Sequence, residues 1–148
     1  MTPAKTILVP IDFSSSAEHA LDYAVALAAK LEAKIHLLHV IAIPAYGSEY
    51  GITVTQSTVE DAVRNAQSVL DRMAEVRAGK ASFGPGEVEF GDARGVIHEM
   101  ATRLKADLIV MGTHGRQGVR RLILGSVAEA VVRTSDCPVL LIREGTVS

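Results

Sequence analysis

The 148-residue sequence holds one cysteine, no tryptophan, three phenylalanines and three tyrosines. A lone cysteine cannot pair within the chain, so disulfides do not staple this fold. Prolines number five, and with 48% hydrophobic and 22% charged residues the composition excludes a disordered or collagenous chain. No apolar run reaches the ~18 residues of a membrane span. Met1 to Lys5 leads straight into a strand-like segment without a signal-peptide core, so the expected location is the cytoplasm. Neither sign of charge dominates: 15 Lys and Arg against 17 Asp and Glu leave −2, too little for broad attraction to nucleic acid or an acidic membrane. Any recognition is therefore local. The length suits one domain, residues 1–148, that buries about two thirds of its unfolded surface.

What is present is an alternation of short apolar runs and helical stripes. Thr6 to Ile11 reads as a strand buried on both faces and ends at Asp12. Ser15 and Glu18 have capping-box spacing, and Ala17, Ala20, Leu21, Ala24, Leu27, Ala28 and Leu31 repeat as a helix. A second strand, Lys34 to Ile41, precedes a long loop, Ala42 to Gln56, which contains Pro44, Gly47 and Gly51. Ser57 and Glu60 suggest the next cap, and a stripe from Val59 to Val76 predicts a helix ending near Gly79. After the turn Gly84, Pro85 and Gly86, the alternation of Val88 and Phe90 with glutamates predicts a strand wet on one face. Asp92 caps a third helix, and Asp107 to Gly112 is a fourth strand. Ser126 and Glu129 cap a helix that runs to about Thr134, and Val139 to Ile142 is the last strand. Five strands with helical crossovers make a three-layer α/β sandwich with a parallel sheet, Rossmann-like in class.

The segment Met111 to Ser126, MGTHGRQGVRRLILGS, puts Gly112, Gly115, Gly118 and Gly125 between a strand and a helix. Ligands of open parallel sheets sit outside the carboxyl ends of strands, and a glycine-rich turn lets backbone N–H groups approach phosphate oxygens. Gly125 and Ser126 then begin a helix, whose unpaired N–H groups and positive dipole end favour an anion. Three or four such bonds, each ~1.5 to 3 kcal/mol, are enough for nucleotide binding without a large net charge. The segment is not G-x-x-x-x-G-K-[ST], and no lysine follows Lys105, so P-loop chemistry is excluded. A purely structural turn with Ser126 as a plain N-cap is the alternative.

Gly112, Gly115, Gly125 and Ser126, with two and nine residues between, resemble the G-2x-G-9x-G-[S/T] nucleotide motif of the universal stress protein family. The resemblance extends from ILVPIDFS through HLLHV, MGTHG and GSVAEAVV to the closing CPVLLI. It implies the adenine nucleotide alpha hydrolase-like strand order 3-2-1-4-5 and an adenine nucleotide, ATP, at the carboxyl edge of the sheet. It further implies that Asp12 holds the ribose hydroxyls, flanked by Pro10 and Ile11, and that Val40 meets adenine through its main chain. Met111, Gly112, His114, Gly115 and Arg116 would border ribose and phosphates, with Gly125, Ser126 and Val127 at the phosphate end. Mg²⁺ or Mn²⁺ could accompany the phosphates, and no dedicated carboxylate cage is visible.

Each of these residues also has a plain structural reading. Asp12 starts a turn or holds a ribose; His114 is a phosphate donor or a polar turn residue. Arg116, Arg120 and Arg121 are a phosphate-side cluster or solvated charges. His36 and His39 are three apart on a strand and point to opposite faces, so they cannot share a metal and read as packing residues. Cys137 before Pro138 reads as an inert thiol. Val139 to Ile142 is an apolar edge strand in this order, and with the resemblance it predicts a symmetric homodimer paired across that strand. The expected function is ATP-binding regulation rather than enzymatic turnover, with at most slow hydrolysis. Two other classes compete: a phosphorelay receiver with Asp92 as phosphoacceptor, and a flavin electron carrier. The receiver lacks an acidic pair and a late lysine. The flavin reading lacks a tryptophan and a phosphate loop after the first strand.

Overall fold

The computed structural model describes residues 4–42, 55–114 and 124–144, and its sheet is built around β1 (Thr6–Pro10). In chain order there follow α1 (Ser15–Leu31), β2 (Lys34–Ile41), α2 (Gln56–Glu75), β3 (Ser82–Phe83) and β4 (Glu87–Phe90). The remaining elements are α3 (Ala93–Leu104), β5 (Leu108–Gly112), α4 (Ser126–Thr134) and β6 (Val139–Ile142). Gly115, Arg116, Gly118, Arg120, Arg121 and residues 43–54 of the long loop lie outside the described residues.

Side-chain alternation sorts the sheet into two faces. Ile7, Val9, Ile35, Leu37 and Val110 pack with the apolar stripes of α1 and α2, including Leu21, Ala24 and Leu70. Leu8, Leu38, Ile109 and Met111 pack against Ile97 and Met100 of α3 and Ala128 and Val131 of α4. Because both faces are covered, β1 and β5 read as nearly continuous apolar runs with no wet side. Ile7, Leu8, Ile35, Leu38 and Ile109 are essentially sealed from solvent, and each such side chain contributes ~1.5 to 3 kcal/mol of burial.

All pairings are parallel, in the order β3-β2-β1-β5-β6, with β4 also on β2. This is the expected three-layer sandwich with one correction: among the described residues there are six strands, not five. The eight residues of β2 serve two partners on one edge, Lys34 and Ile35 facing β3 and Leu38 to Ile41 facing β4. Between them the chain turns aside at Gly84, whose amide donates to the Ile35 carbonyl at 2.8 Å. A Cβ at Gly84 would lie 2.3 Å from Cε1 of His36, so the imidazole occupies the gap between the two short strands.

Three of the four expected caps shift. Ser14, not Ser15, caps α1, its hydroxyl accepting from the Ala17 amide at 3.1 Å. Thr55, not Ser57, caps α2 by accepting from the Thr58 amide. Gly125 stands at the N-cap of α4 and Ser126 is the first helical residue, with no side-chain cap bond. Asp92 caps α3 as expected. The second helix ends at Glu75 and continues only as turns toward Gly79. Among the described residues no helix is long and apolar enough to cross a membrane.

Candidate functional site

The carboxyl ends of β1, β2 and β5 open onto one cleft of about 250 Å³, at the small end of ligand sites. It lies where the chain leaves β1 toward one side of the sheet while β5 occupies the other, the switch point of an open α/β fold. Pro10, Ile11, Asp12, Val40, Met111, Gly112, His114, Gly125, Ser126 and Val127 all line it. The structure thus brings together ten of the twelve site residues read from the sequence, and the other two, Gly115 and Arg116, lie outside the described residues. Ala17, Leu38, Ala93, Ile97, Thr113 and Ala128 complete the lining. Of these, Thr113 sits inside the MGTHG segment, and Ala17 and Leu38 fall in the helix stripe and strand read from the sequence.

Asp12 stands at the corner between β1 and α1. One carboxylate oxygen, Oδ1, accepts from both the amide and the hydroxyl of Ser14, which leaves Oδ2 without a partner among the described residues. Phe13 follows with φ of 65°, an uncommon conformation for a bulky residue, so the corner is held by its surroundings rather than by local preference. The surroundings are visible: the Phe13 ring lies on that of His39, with centroids 4.3 Å apart. His39 Nδ1 in turn sits 2.7 Å from the Ile11 carbonyl, so it carries the proton and donates. His36 and His39 do face opposite sides of β2, yet His39 does more than pack.

The glycine segment is closed at its base. The Gly125 amide donates to the Thr113 carbonyl at 2.8 Å, which brings the end of β5 against the start of α4. Because α4 lacks a side-chain cap, the amides of Ser126, Val127 and Ala128, all lining the cleft, start the helix as donors facing it. His114 Nδ1 lies 3.2 Å from the Thr113 hydroxyl. Gly112 is required by close approach: a Cβ there would be 2.2 Å from Ser16 Oγ and 3.0 Å from the Ser16 carbonyl oxygen.

Asp92, the conceivable phosphoacceptor, is placed elsewhere. It lies two residues past the edge strand β4, caps α3 and pairs with Arg94 at 2.6 Å, and those bonds lower the pKa of its carboxyl to about 2. A carboxylate so engaged at the sheet edge does not meet Asp12 in the cleft. Among the described residues, no cluster of three or more His, Cys, Asp or Glu side chains could hold a metal ion.

A model of the universal stress protein family matches residues 3–143. A protein named as a universal stress protein in Staphylococcus aureus (strain USA300) is 37% identical over 146 residues, covering 97% of this chain and 86% of that one. Among solved structures, the hypothetical protein MJ0577 superposes with a TM-score of 0.83 at 26% identity, covering 97% of this chain and 98% of that one. A universal stress protein solved in complex with cAMP superposes with a TM-score of 0.65 at 27% identity, covering 95% and 98%.

Proposed function

The chain belongs to the universal stress protein family, and we propose that it is an ATP-binding regulatory module of the stress response, with at most slow hydrolysis. The observation that carries this reading is the junction of Asp12, the end of β5 and the uncapped start of α4 around one cleft. Asp12 Oδ2 accepts the ribose hydroxyls. The main chain of Val40 meets the edge of adenine, and the apolar Leu38, Ile97 and Met111 give the base a dry wall. The amides of Ser126 and Val127 take phosphate oxygens, and Gly115 and Arg116, beyond the described residues, complete that end as the motif implies. Mg²⁺ or Mn²⁺, where it accompanies ATP, would be held by the phosphates, with the Ser126 hydroxyl of the cleft lining as a side-chain ligand.

The cAMP complex of a relative supports the adenine nucleotide class. The described residues of the phosphate end offer amide donors and hydroxyls, which bind and orient a nucleotide, and the reading proposed is binding rather than turnover. Regulation by occupancy follows, and the proposed compartment is the cytoplasm. Calorimetric titration with ATP, beside an Asp12→Ala variant, tests the reading. Loss of bonds to a charged acceptor is expected to weaken binding about 10- to 100-fold. Wild type that binds no ATP, or a variant that binds it equally, would sink the proposal.

A further inference from the structure

In a parallel ladder a residue that donates to the neighbouring strand also accepts from it, and alternate residues face alternate neighbours. The Ile11 amide donates to the Leu38 carbonyl at 2.7 Å, one residue beyond the end of β1. The next rung would run from the Val40 amide to the Ile11 carbonyl. It is not made: that carbonyl is taken by Nδ1 of His39 at 2.7 Å. Gly84 and Gly91 donate to Ile35 and Ile41, so the odd-numbered residues of β2 face β3 and β4 and Val40 faces the side of β1. There β1 has already turned away into the Asp12 corner, and Val40 lines the cleft.

We infer that His39 is a positioning residue for nucleobase recognition: by taking the Ile11 carbonyl it ends the β1–β2 ladder and leaves the Val40 amide for the ligand. The same imidazole supports Phe13 at its positive φ and so fixes the corner that presents Asp12. One side chain therefore sets both ends of the nucleoside. The group recognised is a ring nitrogen acceptor beside an exocyclic amine, since a freed N–H with the C=O of the same residue offers one donor and one acceptor on one edge. This inference rests on the nucleotide reading above for its ligand, but its backbone part stands without one.

The test has a ligand-free arm and a binding arm. In the ligand-free arm, the Val40 amide of wild type is expected to exchange hydrogen quickly for a central-strand residue, and nitrogen spectra are expected to show the proton on His39 Nδ1. His39→Leu should slow Val40 exchange at least tenfold, because the orphaned Ile11 carbonyl then recruits it; His39→Asn, whose amide can donate in place of Nδ1, should restore fast exchange. A protected Val40 in wild type, or the same exchange in all three folded proteins, overturns the inference whatever the ligand. In the binding arm, ATP is compared with its 1-deaza analogue, which lacks the ring acceptor. Wild type and His39→Asn should prefer ATP about tenfold, and His39→Leu should lose that preference. If neither nucleotide binds wild type, the proposed function fails while the exchange result still decides the role of His39.

Discussion

At the scale of residues, the tightest junction is Ser16 against Gly112. Ser16 is 2% exposed and its Oγ has no hydrogen-bond partner among the described residues. A buried hydroxyl left unpaired costs about 1 to 3 kcal/mol, so removing it is not a loss. Ser16→Ala is expected to stabilise the protein by about 1 kcal/mol in urea denaturation. Gly112→Ala goes the other way, by about 1 to 3 kcal/mol, because its Cβ would meet both Ser16 Oγ and the Ser16 carbonyl oxygen. The two changes share an atom, so the double variant should cost less than their sum, and strict additivity would show that the hydroxyl is not the obstacle. The glycine of the nucleotide motif thus has a packing reason of its own. Sequence spacing gives the glycine, but only coordinates show that α1, not a ligand, is what presses on it.

At the scale of elements, the apolar periods made most boundaries legible: α1, β2, α4 and β6 end where their stripes end. Caps were less legible because neighbouring hydroxyls compete. Ser14, Ser15 and Ser16 are equivalent by composition, and the bond from Ser14 to Asp12 at the β1–α1 corner selects Ser14. Ser15 instead donates to Glu144 at 2.6 Å, a partner far along the chain. The split of the edge into β3 and β4 was illegible for a similar reason, since it depends on the His36 ring filling the break beside Gly84. That ring yields a pH prediction. Burial first, then the nearby Lys34 charge, lowers the His36 pKa below 6.5, with Glu87 opposing. The unfolded chain then binds the proton more readily, so the stability contributed by neutral His36 is present above pH 6.5 and is lost as pH falls through the lowered value. Urea midpoints at pH 7.5 and 5.5 should therefore differ more in wild type than in His36→Gln. An equal difference would assign the pH dependence to other groups.

At the scale of the molecule, the switch point follows from strand order alone, and that order brought Asp12 and Gly112 together as the motif implied. What order cannot show is the imidazole that ends a ladder, because a histidine between apolar residues reads the same whether it packs or donates. Strand order has one more consequence, at the far end of the sheet. Among the described residues β6 pairs with β5 alone, and its residues Val139, Leu140 and Leu141 are only half-buried. The Ile109 amide donates to the Pro138 carbonyl, so by alternation Leu140 faces β5 while Val139 and Leu141 direct their backbone groups outward. An apolar edge with open donors and acceptors invites a second copy, and we propose a two-fold homodimer paired along β6. Light scattering at micromolar concentration should give about twice the 15.7 kDa chain mass. Val139→Pro removes an outward amide without touching the ladder to β5, so it should shift the protein toward monomer with the thermal midpoint little changed. A wild type that scatters as a monomer, or a variant that dimerises as well as wild type, would move the interface off this strand.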